Sequence, residues 1–203
     1  VGMKSHARVV VIGGGAVGVS TLYHLAHKGW SDIVLVERSE LTAGSTWHAA
    51  GLLPLFNMSY TVGQLHKYSV DLYKRLPAET GQDVSFHVTG NLRLATCRDR
   101  MDEYRKYTGT ANTIGVPFQL ISPAEVKELW PLVNLGGDAD TPAVIGALYH
   151  PDDGHIAPAD LTMALRRAAR SAGAEINEQT EVTGAVQMPS GEWKLTTSRG
   201  EIT

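Results

Sequence analysis

One cysteine, Cys97, stands in 203 residues, so no disulfide can close within the chain and no cysteine cluster can hold a metal. A single thiol in an Ala-Thr-Cys-Arg setting fits a reducing compartment, cytoplasmic or, in a eukaryote, the mitochondrial matrix. An excess of one charge is also missing. Lys and Arg number 18 against 21 Asp and Glu, a net charge of −3, and no basic block offers a surface to nucleic acid. Apolar runs break within about a dozen residues, short of the ~20 that a membrane span needs. The start, Val-Gly-Met-Lys, shows no signal or transit pattern. What is present is ordinary: 43% hydrophobic and 19% charged residues, enough for one domain or a little more.

Against that background two short blocks stand out. The first is Val9-Val-Val-Ile-Gly-Gly-Gly-Ala-Val-Gly18. Its continuous apolar start predicts a strand covered on both faces. Gly13 suits a tight turn, Gly15 lets backbone approach a pyrophosphate, and Gly18 lets a helix pack close to the strand. The N–H groups of Gly15, Ala16 and Val17 then open a helix, where unpaired donors and the positive dipole end attract an anion. That helix is expected over residues 16–28, with Val17, Leu22 and Leu25 inward. A second strand, Ile33 to Glu37, ends on an acid nineteen positions after Gly18, where a carboxylate accepts hydrogen bonds from a ribose. A carboxylate there favours FAD or NAD over NADP, and Arg38 is placed to flank the adenosine.

Beyond residue 51 the pattern predicts a helix over 61–80 with Leu65, Tyr68, Ser69, Leu72, Tyr73 and Leu76 on its buried face. Strands 84–88 and 91–95 read as a hairpin around Thr89-Gly90. A polar helix over 99–113 stops at Gly115, a strand covers 118–121, and Ser122-Pro-Ala-Glu125 is a capping box. A strand over 144–149, a helix over 158–172 and strands at 174–177, 181–188 and 193–197 complete the order. This is an α/β chain: a Rossmann-like domain over residues 1–80 and 149–203, interleaved with part of an antiparallel substrate domain over 81–148. The sheet needs more parallel strands than these residues supply, which predicts an N-terminal part of a longer polypeptide.

The second block is Gly44-Ser-Thr-Trp-His-Ala-Ala-Gly51. Small residues at Ala43, Gly44, Ser45, Ala49, Ala50 and Gly51 let backbone pack against a flat ring, and the hydroxyls of Ser45 and Thr46 suit phosphate or ribitol. The residues alone leave two readings of His48. It is a structural histidine bonded to a carbonyl, or a nucleophile that tethers a flavin through an electrophilic methyl carbon.

The stretch Glu37-Arg-Ser-Glu-Leu-Thr-Ala-Gly-Ser-Thr-Trp-His-Ala-Ala-Gly51 resembles the dimethylglycine and sarcosine dehydrogenase group of the D-amino-acid-oxidase-like flavoproteins. Val84-Ser-Phe-His87, Gly90-Asn-Leu-Arg-Leu-Ala-Thr96, Gly146-Ala-Leu-Tyr149 and Asp153-Gly-His-Ile-Ala-Pro158 extend the likeness. The resemblance implies FAD attached covalently through His48. Trp47, Ala49, Ala50, Gly51 and Leu52 would stand beside it, and the Val182 backbone at the adenine. It also implies oxidative N-demethylation of dimethylglycine or sarcosine, with electrons passed to an electron-transfer flavoprotein or to oxygen. Tetrahydrofolate is implied for a C-terminal domain that these residues do not represent. Ser45-Thr-Trp-His-Ala-Ala fits the dimethylglycine branch better. Residues that grip the substrate are not identifiable. A non-catalytic subunit that retains FAD, or an NAD-dependent reductase, would keep the first block, but the reductase has no use for the second.

Other polar residues invite plainer readings. Asp152, Asp153 and His155 read as a solvated turn launching the next helix. His24, His27, His66 and His87 share no ligand spacing, and no metal is expected. Trp130 and Trp193 read as packing residues.

Overall fold

The computed structural model describes residues 2–203. In chain order the elements are β1 (Val9–Ile12), α1 (Ala16–His27), β2 (Ile33–Val36), β3 (Leu52–Leu53), α2 (Tyr60–Thr80), β4 (His87–Val88), β5 (Asn91–Ala95), α3 (Arg98–Ile114), β6 (Gln119–Ile121) and α4 (Pro123–Leu129). They continue with β7 (Gly146–His150), β8 (Gly154–His155), α5 (Pro158–Ser171), β9 (Glu175–Asn177), β10 (Val182–Gln187), β11 (Trp193–Thr197) and β12 (Gly200–Ile202). The fold is α/β, as the sequence predicts. Two compact units divide it: residues 1–51, 75–85 and 157–203, and residues 52–74 and 86–156. Residues 60–74 of α2 and residues 149–156 therefore sit in the second unit.

The first unit is built on a parallel sheet of order β1-β2-β9, with Val9 opposite Ile33 and Val34 opposite Glu175. All four residues of β2 are buried, as a continuous Ile-Val-Leu-Val run in the middle of a covered sheet must be. β1 has the same composition, yet Ile12 is 57% exposed. It lies at the sheet's outer edge among the described residues, so an apolar run over-reads its cover. α1 buries Val19, Leu22 and Tyr23 and packs on α5. Val17, expected inward, is 83% exposed, because the first turn of α1 faces the glycine loop rather than the sheet. The Tyr23 hydroxyl donates to the Glu79 carboxylate at 3.0 and 3.1 Å. An antiparallel trio, β10-β11-β12, brings Ile202 against Val34 and Val36.

The second unit holds two antiparallel sheets, β3-β8-β4 and β5-β7-β6. α3 starts at Cys97 and ends at Gly115, whose φ of 77° closes it in the left-handed conformation that glycine adopts without a Cβ clash. Tyr104, Tyr107 and Ala111 on its inner face join Ala95 and Leu148 in one apolar cluster. The capping box at α4 forms as predicted, with Ser122 and Glu125 exchanging side-chain-to-backbone bonds.

Four expectations for individual residues are corrected here. Residues 84–95 are not a hairpin: β4 pairs with β8 and β5 with β7. The Thr89 and Gly90 N–H groups donate to the Asp153 carbonyl instead, at 3.2 and 2.8 Å. In α2, Leu65 and Tyr68 are exposed while Val70, Leu72 and Leu76 are buried, so the inward stripe is rotated from the predicted one. Trp130 and Trp193 are exposed rather than packed. Asp153 is 1% exposed and is no solvated turn residue. Its Oδ1 accepts the Leu55 N–H at 2.9 Å, from a partner 98 positions away that no local pattern reveals.

Burial pushes the Asp153 carboxyl up to about 6. Nearby His150, fully buried, donates Nδ1–H to the Pro117 carbonyl at 3.1 Å. Burial brings its imidazole down to about 4, since charging it in an apolar surround is costly.

Candidate functional site

The glycine turn, the end of β2 and the segment after it enclose a cavity of about 460 Å³ in the first unit, lined by residues 13–17, 37–39 and 42–46. Each wall follows from local chemistry. Gly13 takes a φ of 109°, open to glycine and strained for an L side chain. It lets the chain reverse as β1 hands over to α1. Gly18 sits so close to the turn that a Cβ would fall 2.0 Å from the Gly13 carbonyl oxygen. Gly14 is confined by side chains instead of backbone: a Cβ there would fall 2.4 Å from Leu41 Cδ2 and 3.0 Å from Glu37 Cβ.

Glu37 follows β2 directly, and its carboxylate is held from two sides. Oε2 accepts the Gly14 N–H at 2.6 Å and Oε1 the Ser39 N–H at 2.8 Å. A carboxylate offers about four lone-pair positions, so two stay available while the group is locked in orientation. At the N-terminus of α1 no side chain of the capping residue Gly15 caps the helix, and the Ala16 N–H donates to Thr46 Oγ1 at 2.9 Å. The dipole's positive end and the N–H groups of this first turn suit an anion.

Residues 41–48 fold as consecutive turns. Thr42 anchors them at a φ of 71°, a conformation a β-branched residue adopts only when its surroundings impose it. Its N–H donates to the Gly14 carbonyl at 3.0 Å, and its carbonyl accepts the Trp47 N–H at 3.1 Å. The glycine turn and the Trp-His block are thus tied through one strained backbone. Trp47 and His48 project outward from these turns, and both are exposed.

The structure brings Gly13, Gly15, Ala16, Val17, Glu37, Arg38, Gly44, Ser45 and Thr46 together around the cavity. Trp47, His48, Ala49, Ala50 and Gly51 continue from its rim in the first unit, and Leu52 opens β3 in the second. Gly18 shapes the turn from behind. Val182 begins β10 and packs on the Val34–Val36–Ile202 cluster. Ala43, expected among the small residues, lines the cavity too; sequence reasoning missed Gly14, Ser39 and Thr42, which also line it. Gly14 was legible as the middle of three glycines; Thr42 carried no local signal, because its role rests on a conformation its residue type disfavours.

The donor set fits a dinucleotide: a helix N-terminus for the pyrophosphate, a fixed carboxylate for ribose hydroxyls, and a cradle at Gly14 that no side chain could share. A family model described as FAD dependent oxidoreductase matches residues 8–203. Dimethylglycine dehydrogenase, mitochondrial, of Rattus norvegicus is 44% identical over 199 residues, covering 98% of this chain and 22% of that protein. The pyruvate dehydrogenase phosphatase regulatory subunit, mitochondrial, of Mus musculus is 35% identical over 202 residues, again covering 22% of its length. The crystal structure of L-proline dehydrogenase from P. horikoshii superposes with a TM-score of 0.89 at 31% identity, covering 99% of this chain and 51% of that one. The chain therefore spans about a fifth of the length of the curated relatives it matches.

Proposed function

With the chain belonging to the FAD-dependent oxidoreductase family, we propose that it carries the cofactor-binding part of an enzyme that oxidatively demethylates dimethylglycine or sarcosine. The observation that carries the cofactor half of this reading is the Glu37 carboxylate, fixed by the Gly14 and Ser39 N–H groups beside the open end of α1. Glu37 accepts the adenosine ribose hydroxyls, and Gly15 and Val17 present N–H groups to the pyrophosphate, joined by Ala16 when its N–H exchanges Thr46 Oγ1 for a phosphate oxygen. Arg38 flanks the adenosine. Ser45 and Thr46 supply hydroxyls to phosphate or ribitol, and the Val182 backbone reaches the adenine. Gly44, Trp47, Ala49, Ala50, Gly51 and Leu52 stand along the flavin, and His48 holds it covalently. When bound, FAD supplies a two-electron acceptor for the carbon–hydrogen bond next to the amine nitrogen.

The substrate half rests on likeness to dimethylglycine dehydrogenase and on Ser45-Thr-Trp-His-Ala-Ala, which fits that branch. In this reading the first unit binds FAD and the second contributes to the substrate domain. An electron-transfer flavoprotein or oxygen takes the electrons, and tetrahydrofolate takes the one-carbon unit in the whole protein, in the cytoplasm or the mitochondrial matrix. Among the described residues no helix is long and apolar enough to cross a membrane.

The likeness to a phosphatase regulatory subunit favours a second reading, in which FAD is retained without turnover. Anaerobic mixing of the intact protein with dimethylglycine separates the two. Bleaching of the flavin's visible absorbance is expected. A flavin that stays oxidised with both dimethylglycine and sarcosine would replace the enzymatic reading with the regulatory one.

A further inference from the structure

The second unit brings together two histidines that lie 68 positions apart in the chain. His87 on β4 and His155 on β8 are direct partners in the antiparallel ladder, and Leu52 on β3 is the partner of His155 on its other side. Residues opposed in register project from the same face of a pleated sheet, so both imidazoles share one face. Their ring centroids stand 5.1 Å apart with the planes tilted by 43°, and both residues are exposed.

The row is held in place from one end. Asp153 precedes β8, and its carbonyl accepts the N–H groups of Thr89 and Gly90, which follow β4. Its carboxylate accepts the N–H of Leu55, two residues past β3. One buried residue thus anchors all three strands. Gly154 sets the approach of β8 to β4: a Cβ there would fall 2.0 Å from the His87 carbonyl oxygen.

Two imidazoles that share one metal ion each place a nitrogen about 2.0–2.1 Å from it, with the ring centre roughly a further 1.1 Å along the same line. At a near-tetrahedral angle the two centroids then stand about 5 Å apart. The sheet already provides that spacing. We propose that His87 and His155 form a binding site for a borderline divalent transition-metal ion, with copper(II) held more tightly than nickel(II) or zinc(II). Neutral imidazole suits these three ions, and copper leads the divalent series for a given nitrogen site. Among the described residues no group of three or more His, Cys, Asp and Glu side chains is arranged to hold a metal. The site therefore offers two protein ligands and leaves the remaining positions to water or a small ligand. Magnesium and calcium, which require oxygen ligands, have no place in it. The metal ligands lie only in the second unit, and the test reads metal uptake rather than flavin chemistry, although Leu52, the ladder partner of His155, also belongs to the flavin reading.

The test is titration of the intact, untagged protein with copper sulfate and with zinc chloride. One copper ion per chain is expected at this site, with an electron paramagnetic resonance spectrum showing nitrogen ligands. Zinc should raise the melting temperature, because it binds the folded sheet in preference to the unfolded chain. His87→Ala and His155→Ala should each weaken binding at least about tenfold and leave the metal-free melting temperature unchanged, since both side chains are exposed. His24→Ala with His27→Ala, the other closely spaced pair, should leave binding intact, and magnesium chloride should have no effect. Absence of saturable copper uptake would overturn the proposal. So would uptake that survives both His87→Ala and His155→Ala, or that is lost on replacing His24 and His27.

Discussion

Glu37 shows how one side chain is set up before any ligand arrives. One N–H partner comes from the glycine turn and the other from the segment that follows β2, so each carboxylate oxygen is held and the free lone pairs keep one direction. Bonds to a charged acceptor contribute about 1.5–3 kcal/mol each. In a His48→Ala background, made to remove the proposed tether, Glu37→Gln is expected to weaken FAD binding by roughly 10- to 100-fold. Quenching of flavin fluorescence during titration measures this. Unchanged affinity would remove Glu37 from the ribose contact. Gly18 works by having no side chain. Gly18→Ala puts a Cβ against the Gly13 carbonyl, a backbone atom that cannot turn aside. A loss of about 1–3 kcal/mol is expected from the forced shift, together with loss of FAD. Thermal melting with and without FAD reads both.

Among the elements, β1, α1 and β2 were legible because strand, turn, helix and acid each carry a local signal within a span of 29 residues. The capping box at α4 and the glycine stop of α3 were legible for the same reason. The supposed hairpin over 84–95 was not, since the partner that redirects Thr89 and Gly90 is the Asp153 carbonyl, far along the chain. Asp153 looked like a turn residue and His150 drew no reading, because burial is a property of the packed unit, not of their neighbours in sequence. His150 offers a test of that packing. Its folded value of about 4 lies below the ordinary 6.5, so the neutral ring adds stability that is present above pH 6.5. That stability is lost as the pH falls toward 4. Asp153, raised to about 6, works in the opposite direction: its stabilising contribution is present at acid pH and lost as the pH rises through 6. Comparing wild type with His150→Asn cancels the Asp153 contribution. The stability advantage of wild type should shrink by on the order of 2 kcal/mol between pH 7 and pH 4. Denaturant unfolding across that range measures it, and a pH-independent difference would mean that water reaches the ring.

For the whole molecule, two units and, among the described residues, four small sheets place the cavity at the glycine turn in one unit and the buried Asp153–His150 region in the other. Most of the cavity was legible in sequence, since ten of its thirteen lining residues fall within the two motif blocks or are Glu37 and its neighbour Arg38. The remaining three, Ser39, Thr42 and Ala43, line it because the turns at 41–48 fold back on the glycine loop, which Thr42 achieves through a strained backbone. The account's central claim concerns His48, two residues past the cavity wall at Thr46 and exposed on the outer side of those turns. The most direct measurement is acid precipitation of the intact protein followed by mass spectrometry of its peptides. The account predicts that the yellow colour stays with the pellet, that the peptide containing His48 carries the added mass of FAD, and that His48→Ala releases the flavin. Flavin recovered in the supernatant of the wild-type protein, with an unmodified His48 peptide, would contradict it.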